Sequence, residues 1–220
     1  MAFPEGDFTH HYYAYRSFAL EELSAGRFPL WMDCVLAGYP FQADPQSALF
    51  YPPALANLAL HRLVGWQLHL YALQVEALLH LLIVSLLCYL FLRSEVRRRI
   101  SALFGSVVFA YGGYLTSYPP LQLAILEGAV WLPLSLWGAR GLARGATRRH
   151  YVAMFSALTL SVQAGNPQTC LHMGYTVLAY YFYRVWRERS PWRAALGRMA
   201  LVGALVGGLC SVQILPTLQY

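Results

Sequence analysis

Two acidic side chains, Glu76 and Glu127, interrupt long apolar stretches in which an ionised group needs a partner. A charged side chain within a bilayer costs about 2.5 to 3.5 kcal/mol on insertion scales, so it is expected to face a cavity or a counter-charge. Glu127 therefore predicts either a polar cavity or a protonated carboxyl that is hydrogen-bonded to a neighbouring Ser, Tyr or Gln. The sequence alone is compatible with both.

The apolar stretches are separated by clusters of arginine. The chain has sixteen basic residues, all of them Arg, and thirteen fall in three clusters. Short cytoplasmic loops carry the Arg and Lys excess of membrane proteins, so all three clusters are expected on the cytoplasmic side. The clusters are Arg93, Arg97, Arg98 and Arg99; Arg140, Arg144, Arg148 and Arg149; and Arg184, Arg187, Arg189, Arg193 and Arg198.

If the clusters share one side, the stretches between them cross the membrane in pairs. A hydrocarbon core of about 30 Å needs about 20 helical residues at about 1.5 Å each. The predicted spans lie near residues 73–92, 100–117, 121–139, 151–163, 171–186 and 195–215, with outer turns at 118–120 and 165–168. The predicted fold class is thus all-α, a polytopic bundle of about six transmembrane helices over residues 69–220.

The overall composition agrees with this topology. The chain is 58% hydrophobic and 12% charged, which is typical of an integral membrane protein. The net charge of +6 resides in the clusters between apolar stretches, whereas a nucleic-acid surface needs its basic residues on one continuous face. Nucleic acid is therefore not expected as a partner.

Residues 1–68 are predicted to form an external region of two or three short helices lying on the membrane. Asp7 precedes an aromatic helix over residues 8–25, and Gly26 ends that helix. Asp44 caps a second, short helix, and another runs over residues 52–65. Together these elements are expected to form a lid over the outer ends of the spans.

Such an external region normally follows a hydrophobic helix that carries it across the membrane. The sequence has none before Asp7, so the chain is expected to be the middle of a longer protein. Cys34 and Cys170 both map to the outer side, where an oxidising compartment could join them. Isolated cysteines are also commonly small apolar side chains, so both interpretations are open.

A series of short motifs runs through nearly the whole chain in a characteristic order. The motifs are Gly6-Asp7, the aromatic helix, Gly26 with Pro29-Leu30-Trp31, Gly38 with Pro40, Asp44, Phe50-Tyr51-Pro52, Trp131-Leu132-Pro133-Leu134 and Ala164-Gly165-Asn166-Pro167-Gln168-Thr169. In order and spacing these motifs resemble the YfhO-like bacterial membrane proteins, which look like glycosyltransferases of the GT-C fold. The family usually has His where this chain has Asn166.

The resemblance implies that an acidic residue near the start of the first external loop, here Asp7, acts at the glycosyl-transfer site. Inverting transfer from a lipid-phosphate sugar needs a carboxylate that takes the acceptor hydroxyl proton, or holds a cation or the acceptor. It also needs positive charge near the departing phosphate. Arg16, Arg27 and Arg62 are the arginines of the external region and so the candidates for that role. Glu127 is the second candidate catalytic residue.

Trp31, Asp44 and Asn166 complete the candidate substrate-binding residues. Several candidates also have an ordinary structural interpretation. Asp7 and Asp44 occupy helix N-cap positions, where Asp is favoured for its hydrogen bonds alone. Arg27 and Arg62 lie where an arginine commonly extends toward lipid headgroups.

The predicted function is transfer of a sugar from a polyprenyl-phosphate donor to a cell-envelope glycan or glycopolymer. The reaction is expected at the outer face of the bacterial inner (cytoplasmic) membrane, and whether a fragment is active alone stays open. The cofactor requirement stays open, with a divalent cation as one candidate and no metal-ligand set predicted. The alternative is a lipid or polysaccharide transporter of flippase type without catalytic activity.

Overall fold

The computed structural model of the protein describes residues 6–35, 37–117, 120–145 and 147–220. These residues form helices and connecting loops, with no β-strand and one isolated antiparallel bridge between Met32 and Tyr39. The prediction of an all-α chain is confirmed. Of the predicted outer turn at 118–120, residues 118 and 119 lie outside the described ranges.

The region predicted above to be external, for which the name external region is kept, contains two α-helices joined by a long loop. A π-helical turn, Phe8–Tyr12, leads directly into α1 (Tyr13–Ser24), and α2 covers Pro52–Val64. Both helices stop before a glycine in the left-handed conformation, Gly26 and Gly65, as the sequence predicts. The loop contains two short 3₁₀ turns, Phe41–Ala43 and Pro45–Ser47.

The remaining chain forms eight helices within the described ranges. Two of them, α3 and α10, are long and apolar enough to cross a membrane, with 26 and 28 residues and mean hydropathies of 2.3 and 1.8 in their most apolar windows. The eight helices are α3 (Leu70–Glu95), α4 (Arg99–Ala110), α5 (Gly113–Thr116), α6 (Leu123–Ala129), α7 (Leu132–Ala143), α8 (Arg148–Gln163), α9 (Pro167–Arg187) and α10 (Trp192–Gln219).

Two of the predicted spans are each divided into two helices. Residues 100–117 contain α4 and the one-turn α5, separated where Gly112 and Gly113 weaken helix propagation. Residues 121–139 contain α6 and the first part of α7, separated at Val130 and Trp131. Pro133, which favours the first turn of a helix because it lacks an amide hydrogen, starts α7 anew.

The helix ends that carry the arginine clusters lie together. Glu95, at the end of α3, forms ion pairs with Arg140 of α7 at 2.8 Å and with Arg184 of α9 at 3.2 Å. Glu188, just after α9, pairs with Arg144 at 2.8 Å. These contacts join the segments of all three clusters at one end of the bundle, which we call the arginine end.

The external region covers the opposite end of the bundle. The Tyr12 hydroxyl donates to Gln122 before α6, and the Gln213 amide of α10 donates to the carbonyl of Gln42 at 2.9 Å. Thr217 of α10 donates to the carbonyl of Ala43 at 2.8 Å. Phe8, Tyr12 and Tyr15 are accordingly buried, whereas Tyr13 and Phe18 of α1 are partly buried.

Candidate functional site

Asp7 lies at the start of the helical segment, but its side chain forms no capping hydrogen bond. Its carboxylate is exposed and accepts a hydrogen bond from the side-chain amide of Gln122. The Tyr12 hydroxyl donates to the carbonyl oxygen of the same amide at 3.1 Å. The Asp7 carboxylate therefore does not act as a helix cap; Gln122, just before α6, orients it.

Tyr12 supports this arrangement by staying protonated. Burial raises the pKa of the Tyr12 phenol well above its usual value, and the negative charge of Glu127 raises it further. A neutral phenol can donate to the Gln122 carbonyl, which leaves the amide nitrogen to donate to Asp7. The orientation of the Gln122 amide is thus fixed by one donor, the Tyr12 hydroxyl, and one acceptor, the Asp7 carboxylate.

Arg16 and Glu127 form a buried ion pair one helical turn further along α1. The Arg16 Nη2 atom lies 3.2 Å and 3.4 Å from the two carboxylate oxygens of Glu127, and 3.7 Å from Oε1 of Glu76. The side chains of Arg16, Glu76 and Glu127 are 5%, 5% and 1% exposed. A single guanidinium therefore faces two carboxyl groups, from α3 and α6, out of contact with solvent.

Two further groups hold these charges in place. Arg16 Nη1 donates to the backbone carbonyls of Ser47 and Ala48, both at 3.4 Å, and so ties the external loop to the pair. Asn57 of α2 donates to Oε2 of Glu76 at 2.7 Å. The cluster consequently joins α1, α2, α3, α6 and the external loop.

The buried carboxyl of Glu127 has a different hydrogen-bond partner from the ones expected from the sequence. Its carboxylate lines no described cavity, and its hydrogen-bond donor is the Arg16 guanidinium, whereas a Ser, Tyr or Gln was expected. Arg16, a candidate for phosphate binding, already satisfies two backbone carbonyls and a carboxylate and is 4% exposed. In this conformation neither side chain is accessible to a substrate.

Beside this cluster, a buried hydrogen-bond chain joins His80 to Tyr51 and Trp131. The Nδ1 atom of His80 lies 2.7 Å from the carbonyl oxygen of Glu76, which can only accept, so Nδ1 carries the proton. Nε2 then accepts from the Tyr51 hydroxyl at 2.7 Å, and the Trp131 indole donates to that hydroxyl at 3.1 Å. This chain fixes the start of α2 against α3 and the break before α7.

Asp44 organises the external loop. One carboxylate oxygen accepts from the backbone amide of Gln46 at 2.8 Å, which is the predicted cap. The other accepts from the hydroxyls of Tyr15 at 3.0 Å and Tyr39 at 2.8 Å. Burial raises the pKa of Tyr15, and the Asp44 charge adds to this, so the phenol stays a donor. All of these contacts are structural.

Asn166 begins α9 by accepting a hydrogen bond from the Thr169 amide at 2.8 Å. The preceding Gly165 has a φ of 88° and packs against the backbone of the external loop. A Cβ atom at Gly165 would lie 1.9 Å from the carbonyl oxygen of Pro45, so only glycine allows this approach. The turn that holds Asn166 therefore meets the loop that Asp44 organises.

The other candidates lie apart from the buried cluster. Arg27 donates to Glu22 at 2.6 and 2.8 Å on the surface, and this hydrogen-bonded pairing lowers the pKa of Glu22. Arg62 is exposed on α2. Trp31 is 48% exposed and lies against Gly38, where a Cβ atom would come within 2.7 Å of its ring.

The described residues include the two cysteines of the possible disulfide and all candidate metal ligands from Gly6 onward that lie in those ranges. Cys34 and Cys170 are both free, and the Cys170 thiol donates to the carbonyl of Ser161 at 3.0 Å. Within residues 6–35, 37–117, 120–145 and 147–220, no group of three or more His, Cys, Asp or Glu side chains is placed to hold a metal ion.

Two side-chain contacts between the first helical segment and the chain at α6 thus define the candidate site. Tyr12 contacts Gln122 and Arg16 contacts Glu127, and the two contacts lie four positions apart on the first helical segment and five positions apart on the second. The sequence indicated Asp7, Arg16 and Glu127 but not Gln122, whose only signal was an amide at the start of an apolar stretch. Comparison of the chain with models of protein families, with curated proteins and with solved structures finds no match.

Proposed function

We propose that the protein is a polytopic membrane glycosyltransferase of GT-C type, acting at the outer face of the bacterial inner membrane. The observation that carries the proposal is the exposed Asp7 carboxylate, which caps no helix and is oriented by Gln122 at the end of the bundle opposite the arginine end. Its support is the order of motifs through the chain, which resembles the YfhO-like proteins.

In the proposed reaction, Asp7 accepts the proton of the acceptor hydroxyl. The acceptor oxygen forms a bond to the anomeric carbon as the bond from that carbon to the phosphate oxygen breaks. The departing polyprenyl phosphate keeps the electron pair. Arg16 and Glu127 act by fixing α1, and with it Asp7, because both are buried. Arg62, exposed and without an ion pair to a described carboxylate, has its charge available for the phosphate, whereas Arg27 is paired with Glu22.

We propose six spans with the arginine end in the cytoplasm. The ion pairs from Glu95 to Arg140 and Arg184 support a shared side, since they join segments that carry the clusters. The α3 and α10 helices are long enough to span, whereas the divided segments 100–117 and 121–139 need neighbouring helices to satisfy their backbone breaks.

This topology predicts which positions react with a membrane-impermeant thiol reagent. In a variant without the four native cysteines, single cysteines at positions 40 and 167 should be labelled in intact cells. Cysteines at positions 97 and 190 should be labelled only after the membrane is permeabilised. Labelling of the second pair in intact cells would reverse the orientation and place Asp7 on the cytoplasmic side.

The proposed activity predicts sugar transfer in isolated membranes. Membranes that contain the complete protein should move radiolabelled sugar from a polyprenyl-phosphate donor to envelope glycan, and matched membranes without it should not. The lipid-linked donor is required because the reaction needs a phosphate leaving group at the outer face. Equal transfer by the two membranes, over a panel of donor sugars, would remove the glycosyltransferase proposal.

The alternative, a lipid or polysaccharide transporter, is favoured by one observation. Glu76 and Glu127 are buried ionisable groups on helices of the bundle, and such groups commonly mark transport pathways. A transporter would move a fluorescent lipid or oligosaccharide across the bilayer of proteoliposomes without forming a new glycosidic bond. Translocation without transfer would select this alternative.

A further inference from the structure

A basic cavity lies at the arginine end of the bundle, far in the fold from the external region. It has a volume of about 370 Å³ and opens between the end of α7 and the start of α8. A volume of this size falls in the range of about 300 to 1,000 Å³ typical of ligand sites. Its lining includes Trp137, Arg140, Arg144, Thr147, Arg149 and His150.

The positive charge of this cavity exceeds the negative charge around it. Arg140, Arg144 and the neighbouring Arg184 share two carboxylates, Glu95 and Glu188. Arg149, in contrast, forms no ion pair with any carboxylate in the described part of the chain, and no acidic residue lines the cavity. An anion that enters the cavity therefore meets a guanidinium that has no competing carboxylate.

Aromatic contacts hold one wall of the cavity in place. The Arg149 guanidinium carbon lies 5.8 Å from the centre of the Trp137 ring, and the His150 ring lies 4.8 Å from the same tryptophan. The His150 ring rests on Gly141, where a Cβ atom would lie 2.1 Å from it. A cationic side chain that is stacked in this way loses less freedom when it binds a ligand.

His150 adds a hydrogen-bonding group without adding charge. Burial lowers its pKa, and the charges of Arg149 and Arg140 lower it further, so the imidazole is neutral at pH 7. Its Nδ1 atom lies 2.9 Å from the hydroxyl of Thr147. The wall thus combines a fixed cation, a hydroxyl and a neutral imidazole, which are groups that surround phosphate oxygens in proteins.

We propose that this cavity binds an anionic phosphate group, supplied by a phospholipid headgroup or by a free phosphate ester. Guanidinium groups match the geometry of phosphate oxygens in paired hydrogen bonds, and basic pockets between helices at the cytoplasmic surface suit lipid headgroups. The site is independent of the glycosyl transfer proposed for the opposite end of the bundle. It assigns part of the second arginine cluster a role beyond setting the topology.

The test replaces Arg149 by Gln in the complete protein and compares it with Arg148→Gln. Arg148 is the adjacent arginine and is also exposed, it does not line the cavity, and its loss changes the net charge by the same amount. Phosphatidylglycerol binding in phosphatidylcholine nanodiscs is measured by native mass spectrometry, and binding of inorganic phosphate and glycerol phosphate in detergent is measured by calorimetry. Circular dichroism checks that both variants are folded.

We expect Arg149→Gln to weaken binding about tenfold, the effect of losing one charge-assisted contact. Arg148→Gln should stay within about twofold of wild type, as for an exposed charge that is screened by solvent. Binding of phosphatidylglycerol alone identifies a lipid headgroup, and binding of the free anions in detergent identifies a soluble phosphate ester. Equal losses in the two variants, or no binding of any probe, would overturn the proposal.

Discussion

Replacement of Arg16 by Met should lower the free energy of unfolding by about 3 to 5 kcal/mol, the cost of leaving a buried charge without its partner. Methionine matches the length of the arginine stem but leaves Glu127 and Glu76 without a cation in a site closed to solvent. It also removes the two hydrogen bonds to the carbonyls of Ser47 and Ala48. The external loop should therefore detach together with α1.

The surface pair of Glu22 and Arg27 provides the matched control. Arg27→Met removes an ion pair that lies just after α1, but the Arg27 side chain is 65% exposed and water replaces its contacts. No measurable change is expected for this variant. Glu127→Gln should have an intermediate effect, because Arg16 keeps Glu76 as a counter-charge at 3.7 Å.

Unfolding of the purified protein in detergent, followed by circular dichroism, measures these differences. Limited proteolysis in the loop after α1 reports separately on detachment of the external region, which should become sensitive in Arg16→Met only. If Arg16→Met were as stable as Arg27→Met, the buried pair would contribute nothing to the docking of α1, and Arg16 would again be a candidate for substrate phosphate.

Local sequence patterns were sufficient for the helices of the external region. Gly26 and Gly65 end helices because glycine adopts the left-handed conformation at no steric cost, and both have φ values above 70°. Asp44 caps the turn that begins at Pro45, as an acidic residue before proline predicts. Each of these signals depends on the conformation of only a few neighbouring residues, so it can be predicted without knowing the tertiary packing.

The partner of Glu127 could not be predicted in this way. The apolar stretch around it shows that a charge there needs compensation, but compensation comes from Arg16, 111 residues earlier in the chain. The sequence indicates Arg16 for substrate because it is one of the three arginines of the external region. Its place on the inner face of α1 depends on how that helix docks. A contact between two segments this distant is set by tertiary packing, which no local spacing records.

The helix breaks illustrate a different limit. Apolar content and length favoured one helix over residues 121–139, and Pro133 and Trp131 also fitted the motif order. In the structure Trp131 lies between α6 and α7 and donates to Tyr51 at 3.1 Å. Pro133 is a sequence signal for a new helix start. The uniformly apolar character of residues 121–139 nevertheless favoured one continuous helix.

Asn166 and Gly165 combine a predictable local turn with a long-range contact that was not predictable. The Gly-Asn-Pro sequence predicted a turn, and Asn166 indeed caps α9. The contact of Gly165 with the Pro45 carbonyl, which joins the turn to the external loop, was not predictable because it depends on the approach of a segment about 120 residues away. Sequence thus located both turns, and the structure shows that they meet.

Replacement of Asp7 by Asn should reduce the transfer rate by a factor of about 10² to 10⁴, the usual cost of losing a general base. The structure makes this change unusually selective. The Asp7 side chain caps no helix, and the Asn carbonyl oxygen can still accept the hydrogen bond from Gln122, so the fold should be unaffected. Only the negative charge and the ability to take a proton are lost.

Asp33→Asn supplies the control, because Asp33 is exposed in the external loop and the substitution makes the same change in charge. Its transfer rate should equal that of wild type. The measurement is sugar transfer from the polyprenyl-phosphate donor in membranes that contain equal amounts of each complete protein, with unfolding midpoints determined in parallel to separate chemistry from stability.

Glu127→Gln is the third variant, because the proposal expects opposite effects on transfer and stability from replacing Asp7 and from replacing Glu127. If Asp7 is the base and Glu127 a positioning residue, Asp7→Asn loses transfer at unchanged stability, whereas Glu127→Gln loses stability and retains much of the transfer once folded. Normal transfer by Asp7→Asn with an inactive but stable Glu127→Gln would move the chemistry into the buried cluster. Normal transfer by both would leave the proposed reaction without a catalytic carboxylate among these residues, and the transporter alternative would then account better for the buried charges.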